Sequence, residues 1–286
     1  MQKYTNTKMV AQRLPRHNDE IHKYQRGKVL AWCGSDSMRG AAALSARAAF
    51  MAGAGYVEVF TEKQAAAALA VNLPEAVISN SEGTDFIDRF KTAARSCRSI
   101  LLGPGIGVSE TNLEKLELIL KTALVPVVID ADALTLLSAT PGLIKTAYSI
   151  PVITPHGGEM AKLLGLPQLS INDSREDLAL KFSEQYNCVV VLKGAFTIIT
   201  APNGMTLINP HVNHKLATAG SGDVLAGIIA ALLAQGADSF FAAVCGCFIH
   251  GMAGENASKA GKRNIIASDI SEYIAKTIEA IEKNAP

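Results

Sequence analysis

The stretch KVLAWCGSDSMRGAAALSARAAFMAGAGYVEVF, residues 28–60, carries a short apolar run, a glycine-bearing turn, an alanine-rich helical segment and a second apolar run. An apolar run without polar alternation reads as a strand buried on both faces, the condition of a parallel strand between helical layers. The same succession recurs downstream. Residues 57–60 precede a helix over 63–70, and 100–102 run into the turn GPGIG (103–107) and a helix over 109–123. Residues 127–130, 152–154 and 189–192 are further short buried strands. KGAFTIITAPNGMTLIN (193–209) reads instead as strands with turns at 193–195 and 202–204, so the sheet gains antiparallel strands there. Three helices follow, near 222–235, 238–260 and 268–284, and Ser174 with Asp177 and Asp269 with Glu272 offer capping boxes at helix starts. Residues 1–26 are polar and aperiodic and read as an N-terminal arm, leaving 27–286 as one doubly wound α/β domain.

Composition narrows the function. The 286 residues are 49% hydrophobic and 19% charged, below the roughly 25% charged residues of soluble domains, which excludes a disordered chain. A net charge of +1, with no basic stripe, argues against a general nucleic-acid or membrane-surface binder. Cys33, Cys97, Cys188, Cys245 and Cys247 lack metal or disulfide spacing and read as reduced core thiols. The N-terminus has no apolar signal region, and the run Val224–Ala234 falls short of the ~20 residues a membrane span needs. The expectation is a soluble, cytoplasmic protein.

Chemistry concentrates at strand ends. Ala219-Gly220-Ser221-Gly222-Asp223 opens the apolar helix VLAGIIAALLAQG. Its glycines let a ligand approach the backbone, and its free N–H groups with the helix dipole suit an anion. Asp223 reads either as a dipole-compensating cap or as a general base facing a phosphate. The turn 103–107 is a tight connection or a ligand loop at the carboxyl edge of the sheet. Asp130 and Asp132 hold a ribose or metal, or cap the next helix. His156 is a structural histidine or a site residue, and Glu159 compensates a dipole or binds a metal and water. Lys193 can neutralise a phosphate as a point charge. No Walker A motif and no intact GxGxxG follows the first strand, so a nucleotide here needs another cradle.

Seven segments in one order make the chain recognisable: LPRHNDEIHKYQRGKVLAWCGS, GAAALSARAAFMAGAGYVEVF, GPGIG, VVIDADALTLL, ITPHGGEMAKLLG, VVLKGAFTII and ATAGSGDVLAGIIAALLAQG. Between Leu14 and Ser258 it resembles the ADP/ATP-dependent NAD(P)H-hydrate dehydratase family, within the ribokinase-like superfamily. The resemblance implies a ribokinase-like three-layer sandwich with a mostly parallel central sheet flanked by helices. It implies a hydro-lyase that repairs the S-form of NADHX or NADPHX, using ADP (giving AMP and phosphate) or ATP, with Mg²⁺. Ala41, Gly107, His156 and Asp223 then contact the hydrated cofactor. Lys193, Gly194, Ala195, Phe196 and Thr197 form the nucleotide segment with Gly222, and Ala219, Gly220, Ser221 and Gly222 form an anion hole. Asp223 is the catalytic residue, and Glu159 is a candidate metal ligand.

The resemblance also implies a homotetramer, and the shortage of residues before the arm leads to the expectation that the N-terminal epimerase domain some members carry is absent. Met38-Arg39-Gly40 replaces the family's commoner Tyr-x-Gly, and GSGD its commoner GTGD. Two rivals remain: a ribokinase-like kinase for a small alcohol or vitamin, and a nucleotide-binding module without turnover.

Overall fold

Side chains from the strand Lys28–Trp32 (β1) divide between two cores: Val29 and Ala31, with Cys33 just beyond, enter one, and Leu30 and Trp32 enter the other. The strand is buried along its whole length, as its unbroken apolar run requires. The computed structural model describes residues 3–16, 20, 22–167, 174–260 and 263–283.

Eight more strands complete one sheet: β2 (Tyr56–Thr61), β3 (Val77–Asn80), β4 (Ser99–Leu102), β5 (Val127–Ile129), β6 (Val152–Ile153), β7 (Val189–Leu192), β8 (Ile198–Thr200) and β9 (Thr206–Ile208). Their order is β3-β2-β1-β4-β5-β6-β7-β8-β9. Pairing is parallel from β3 to β7, then antiparallel through β8 and β9, where the sequence places its turns.

One face is covered by α1 (Thr7–Arg13), α2 (Arg39–Met51), α3 (Lys63–Asn72), α9 (Ser221–Ala234), α10 (Ser239–Lys259) and α11 (Ala267–Glu282). The other is covered by α4 (Phe86–Ala94), α5 (Glu110–Thr122), α6 (Asp132–Leu137), α7 (Gly157–Leu164) and α8 (Arg175–Tyr186). The result is three layers. The chain winds outward from β1 to β3, then returns to β4 on the other side of β1, so the sheet has a switch point between β1 and β4. Ligands of open α/β sheets bind beyond the carboxyl ends of such strands. The two loops there touch, with Gly34 N–H donating to Pro104 O at 2.7 Å.

Three details differ from the sequence reading. The segment read as an aperiodic arm holds α1, whose start is capped by Asn6 Oδ1 on Met9 N–H (2.9 Å) and whose Val10 and Ala11 are buried. Ser174 occupies the N-cap of α8 without a side-chain capping bond. Asp269 is not the cap of α11 but sits in its first turn, where Oδ2 accepts from Ile266 N–H (3.0 Å). Among the described residues no helix is long and apolar enough to cross a membrane, and all five cysteines are free and buried.

Candidate active site

Gly220 precedes α9 with φ +81°, a left-handed conformation that favours glycine, and a Cβ there would lie 2.4 Å from Leu44 Cδ1. The sequence GSGD thus starts α9 abruptly, with Asp223 in its first turn. Burial, then the charge of Asp130, push the Asp223 carboxyl up to about 7, although Lys193 pulls it down. Burial first, and the charge of Asp223 second, raise the pKa of the Cys33 thiol at the end of β1.

Lys193 leaves the end of β7 and reaches the same point. Its Nζ is 2.9 Å from Asp130 Oδ1 and 3.9 Å from Glu159 Oε2. Burial alone would lower this lysine's pKa, but Asp130 and Glu159 outweigh it and the net shift is upward. Asp130, 1% exposed, also accepts from the Thr154 hydroxyl at 2.6 Å. Asp130 does not cap the next helix, whose N-cap is Ala131; its Oδ1 holds the lysine and the Thr154 hydroxyl. Gly222 lies so near that a Cβ added to it would be 3.2 Å from Lys193 Nζ.

His156 is the N-cap of α7. Its Nδ1 accepts from Gly158 N–H (3.0 Å) and Glu159 N–H (3.2 Å), while Glu159 Oε2 accepts from His156 N–H (2.8 Å). This reciprocal capping fixes the imidazole and leaves Nε2 3.5 Å from Glu159 Oε1. Burial, then Lys193, lower the histidine's pKa, and burial lifts Glu159 to about 7.

A cavity of about 530 Å³ opens between these elements. Its walls include His156, Lys193, Gly194, Ala195, Thr197, Ser221 and Gly222, so the residues expected to bind nucleotide gather at one place. Phe196 is absent from the wall and half exposed. Ala41 and Gly107 lie on the neighbouring loops: a Cβ on Gly105 would be 2.9 Å from Ala41 Cβ and 2.8 Å from Met38 Cβ. Gly107 N–H donates to Asp132 Oδ2 (2.8 Å), and Asp132 also contributes to the raised pKa of Asp223. Asp132 thus ties the 103–107 loop to the Asp223 side of the site.

A family model described as NAD(P)H-hydrate dehydratase matches residues 29–276. The chain belongs to this family. An ADP-dependent (S)-NAD(P)H-hydrate dehydratase of Xanthomonas campestris is 32% identical over 268 residues, covering 91% of each chain. A bifunctional NAD(P)H-hydrate repair enzyme of Moorella thermoacetica is 35% identical, covering 94% of this chain and 52% of its own. The present chain spans about half the length of such bifunctional relatives. The ADP/ATP-dependent NAD(P)H-hydrate dehydratase of Bacillus subtilis, crystallised with ATP and Mg²⁺, superposes with a TM-score of 0.86 at 29% identity, over 98% of this chain and 99% of that one. The dehydratase family accounts for the ribokinase-like architecture expected from the motifs.

Family motifs do not include every residue that builds the site. His250, in the apolar helix α10, lies on the cavity wall, and its Nε2 is 3.1 Å from Ser221 Oγ and 3.0 Å from Ser221 O. Burial lowers its pKa to about 4, so it is neutral behind the glycine turn. A lone histidine amid CGCFIHGMAG was its signal. Arg175, at the start of α8, donates to carbonyls of the 192–196 segment; a cation where the helix dipole disfavours one was the signal there.

Proposed function

We propose that this protein dehydrates the S-form of NADHX or NADPHX to NADH or NADPH at the expense of ADP or ATP. The observation that carries the reading is Asp223, a half-buried carboxylate with pKa near 7, placed beside Lys193 at a glycine-started helix that lines a nucleotide-sized cavity.

Direct loss of water from the hydrate would expel hydroxide, a poor leaving group. Transfer of the nucleotide's terminal phosphoryl group to that hydroxyl makes phosphate the leaving group. Asp223 accepts the hydroxyl proton as the new O–P bond forms, and the old P–O bond breaks to give AMP from ADP. General-base assistance of this kind contributes about 10²–10⁴-fold. The ring-nitrogen lone pair then expels phosphate and restores the dihydropyridine. Lys193 and the amides at 219–222 hold the transferring group in place. Ala41, Gly107 and His156 position the hydrated ring, and Lys193–Thr197 with Gly222 hold the nucleotide.

The donor set suits Mg²⁺ only as a companion of the nucleotide. Among the described residues no group of three or more His, Cys, Asp and Glu is placed to hold an ion, and Mg²⁺ normally takes one or two carboxylates plus phosphate oxygens and water. Glu159, beside Lys193, is the carboxylate we assign to it, and the ion supplies charge neutralisation at the phosphates. The alanine-rich α2 and α3 and the free, buried cysteines support a homotetramer in the cytoplasm; light scattering at micromolar concentration tests the assembly, and a monomer refutes it.

Incubation with hydrated NADH plus ADP or ATP tests the activity. Recovery of NADH absorbance with release of phosphate is expected. A stable phosphorylated product, without recovery, would make the protein a kinase instead.

A further inference from the structure

Arg175 is the first residue of α8, where a cation opposes the helix dipole. The position is explained by what the side chain does. Its Nη2 donates to Leu192 O (3.0 Å) and Lys193 O (3.1 Å) and approaches Phe196 O (3.4 Å). One guanidinium thereby spans both ends of the turn after β7. Gly194 lies beneath it: a Cβ there would sit 2.5 Å from Nη2 and 2.8 Å from Nη1. The absence of a side chain at 194 is what lets the guanidinium reach the carbonyls.

We propose that Arg175 is a positioning residue for adenine-nucleotide binding, setting the backbone of Lys193–Thr197 through a guanidinium clamp that Gly194 admits. The inference rests on the assignment of that segment to the nucleotide. Because Arg175 acts on main-chain carbonyls, it controls several nucleotide contacts at once without touching the hydrated cofactor, whose residues lie on other loops. The clamp also turns Lys193, whose carbonyl it holds, toward Asp130 and Gly222.

Gly194→Ala gives an independent handle. The colliding atoms end a flexible side chain, so the guanidinium moves aside at little cost in stability but must leave its carbonyls. Arg175→Ala, Arg175→Lys, Gly194→Ala and the double Ala variant are assayed for KM of ADP, KM of hydrated NADH, kcat and melting temperature. Both single Ala variants should raise KM for ADP about ten- to a hundredfold, the worth of a charge-assisted hydrogen bond. KM for the hydrate should stay near the wild-type value. The double variant should be no worse than Arg175→Ala alone, because both remove the same clamp, and Arg175→Lys should recover part of the loss.

Additive losses would overturn the clamp, as would an Arg175→Ala enzyme with native KM for ADP while Gly194→Ala raises it. Equal rises in both KM values would make Arg175 a general structural support. If both variants raise only the hydrate KM, the nucleotide assignment of 193–197 itself falls.

Discussion

Lys193 Nζ lies 2.9 Å from Asp130 Oδ1, and the carboxylate it neutralises is 1% exposed. The lysine therefore has two tasks, one toward a ligand phosphate and one toward the protein's own interior. Its removal leaves a buried unpaired charge. Lys193→Ala should lower stability by about 3 kcal/mol and weaken nucleotide binding, with the hydrate affinity nearly intact. Adding Asp130→Asn removes the stranded charge, so the double variant should regain most of the stability but none of the nucleotide affinity. Denaturant melts and paired KM measurements check this; equal losses for both ligands would count against the assignment.

The pH profile separates two carboxylates with similar pKa values. Asp223 is lifted to about 7 by burial first and Asp130 second, and Glu159 to about 7 by burial. A general base works only when deprotonated, so kcat/KM should fall about tenfold per pH unit below 7. That limb should survive in Glu159→Gln and vanish from whatever activity remains in Asp223→Asn. A limb lost in Glu159→Gln would move the base to Glu159.

His250 should register in stability rather than in the rate profile. Its folded pKa is about 4, against roughly 6.5 in an unfolded chain. Between those values the unfolded state binds more protons, so this group's contribution is complete above 6.5 and is lost as pH falls toward 4, up to about 3 kcal/mol. Glu159 and Asp223 act oppositely: their raised values make the folded state the better proton binder between about 4 and 7. Comparing wild type with His250→Gln at pH 7 and pH 5 isolates the histidine. The variant's melting temperature should fall less on acidification; an identical fall in both proteins would refute the buried neutral imidazole.

The fold was legible where burial is two-sided. VLAW in β1 and VVVL in β7 are apolar at every position, and both strands lie between the two cores, β1 with two parallel neighbours and β7 with a parallel and an antiparallel one. The strand Val77–Asn80 was not legible, because it is the sheet's edge and none of its residues is fully buried. Helix α1 was hidden by polar neighbours; only Val10 and Ala11 of its seven residues are buried.

At the site, the strand ends announced themselves by residue type, and the structure brings Asp130, Glu159, Lys193, Gly222 and Asp223 together. Their couplings were not announced. That Asp132 binds Gly107 N–H, or that His250 backs Ser221, depends on which loops meet across the sheet, and local pattern carries no such information.

Asp223→Asn is the most direct test of the account. Asn is close in shape and is as good a helix-capping residue as Asp, but it cannot take a proton as a carboxylate does. The amide also removes a charge that burial disfavours, so the variant should stay folded, with a melting temperature at pH 8 equal to or above that of the wild type. Turnover of hydrated NADH with saturating nucleotide should fall by roughly 10²–10⁴, about 3–5 kcal/mol of transition-state stabilisation. A folded Asp223→Asn protein that restores NADH at a near-native rate would contradict the catalytic role assigned to this carboxylate.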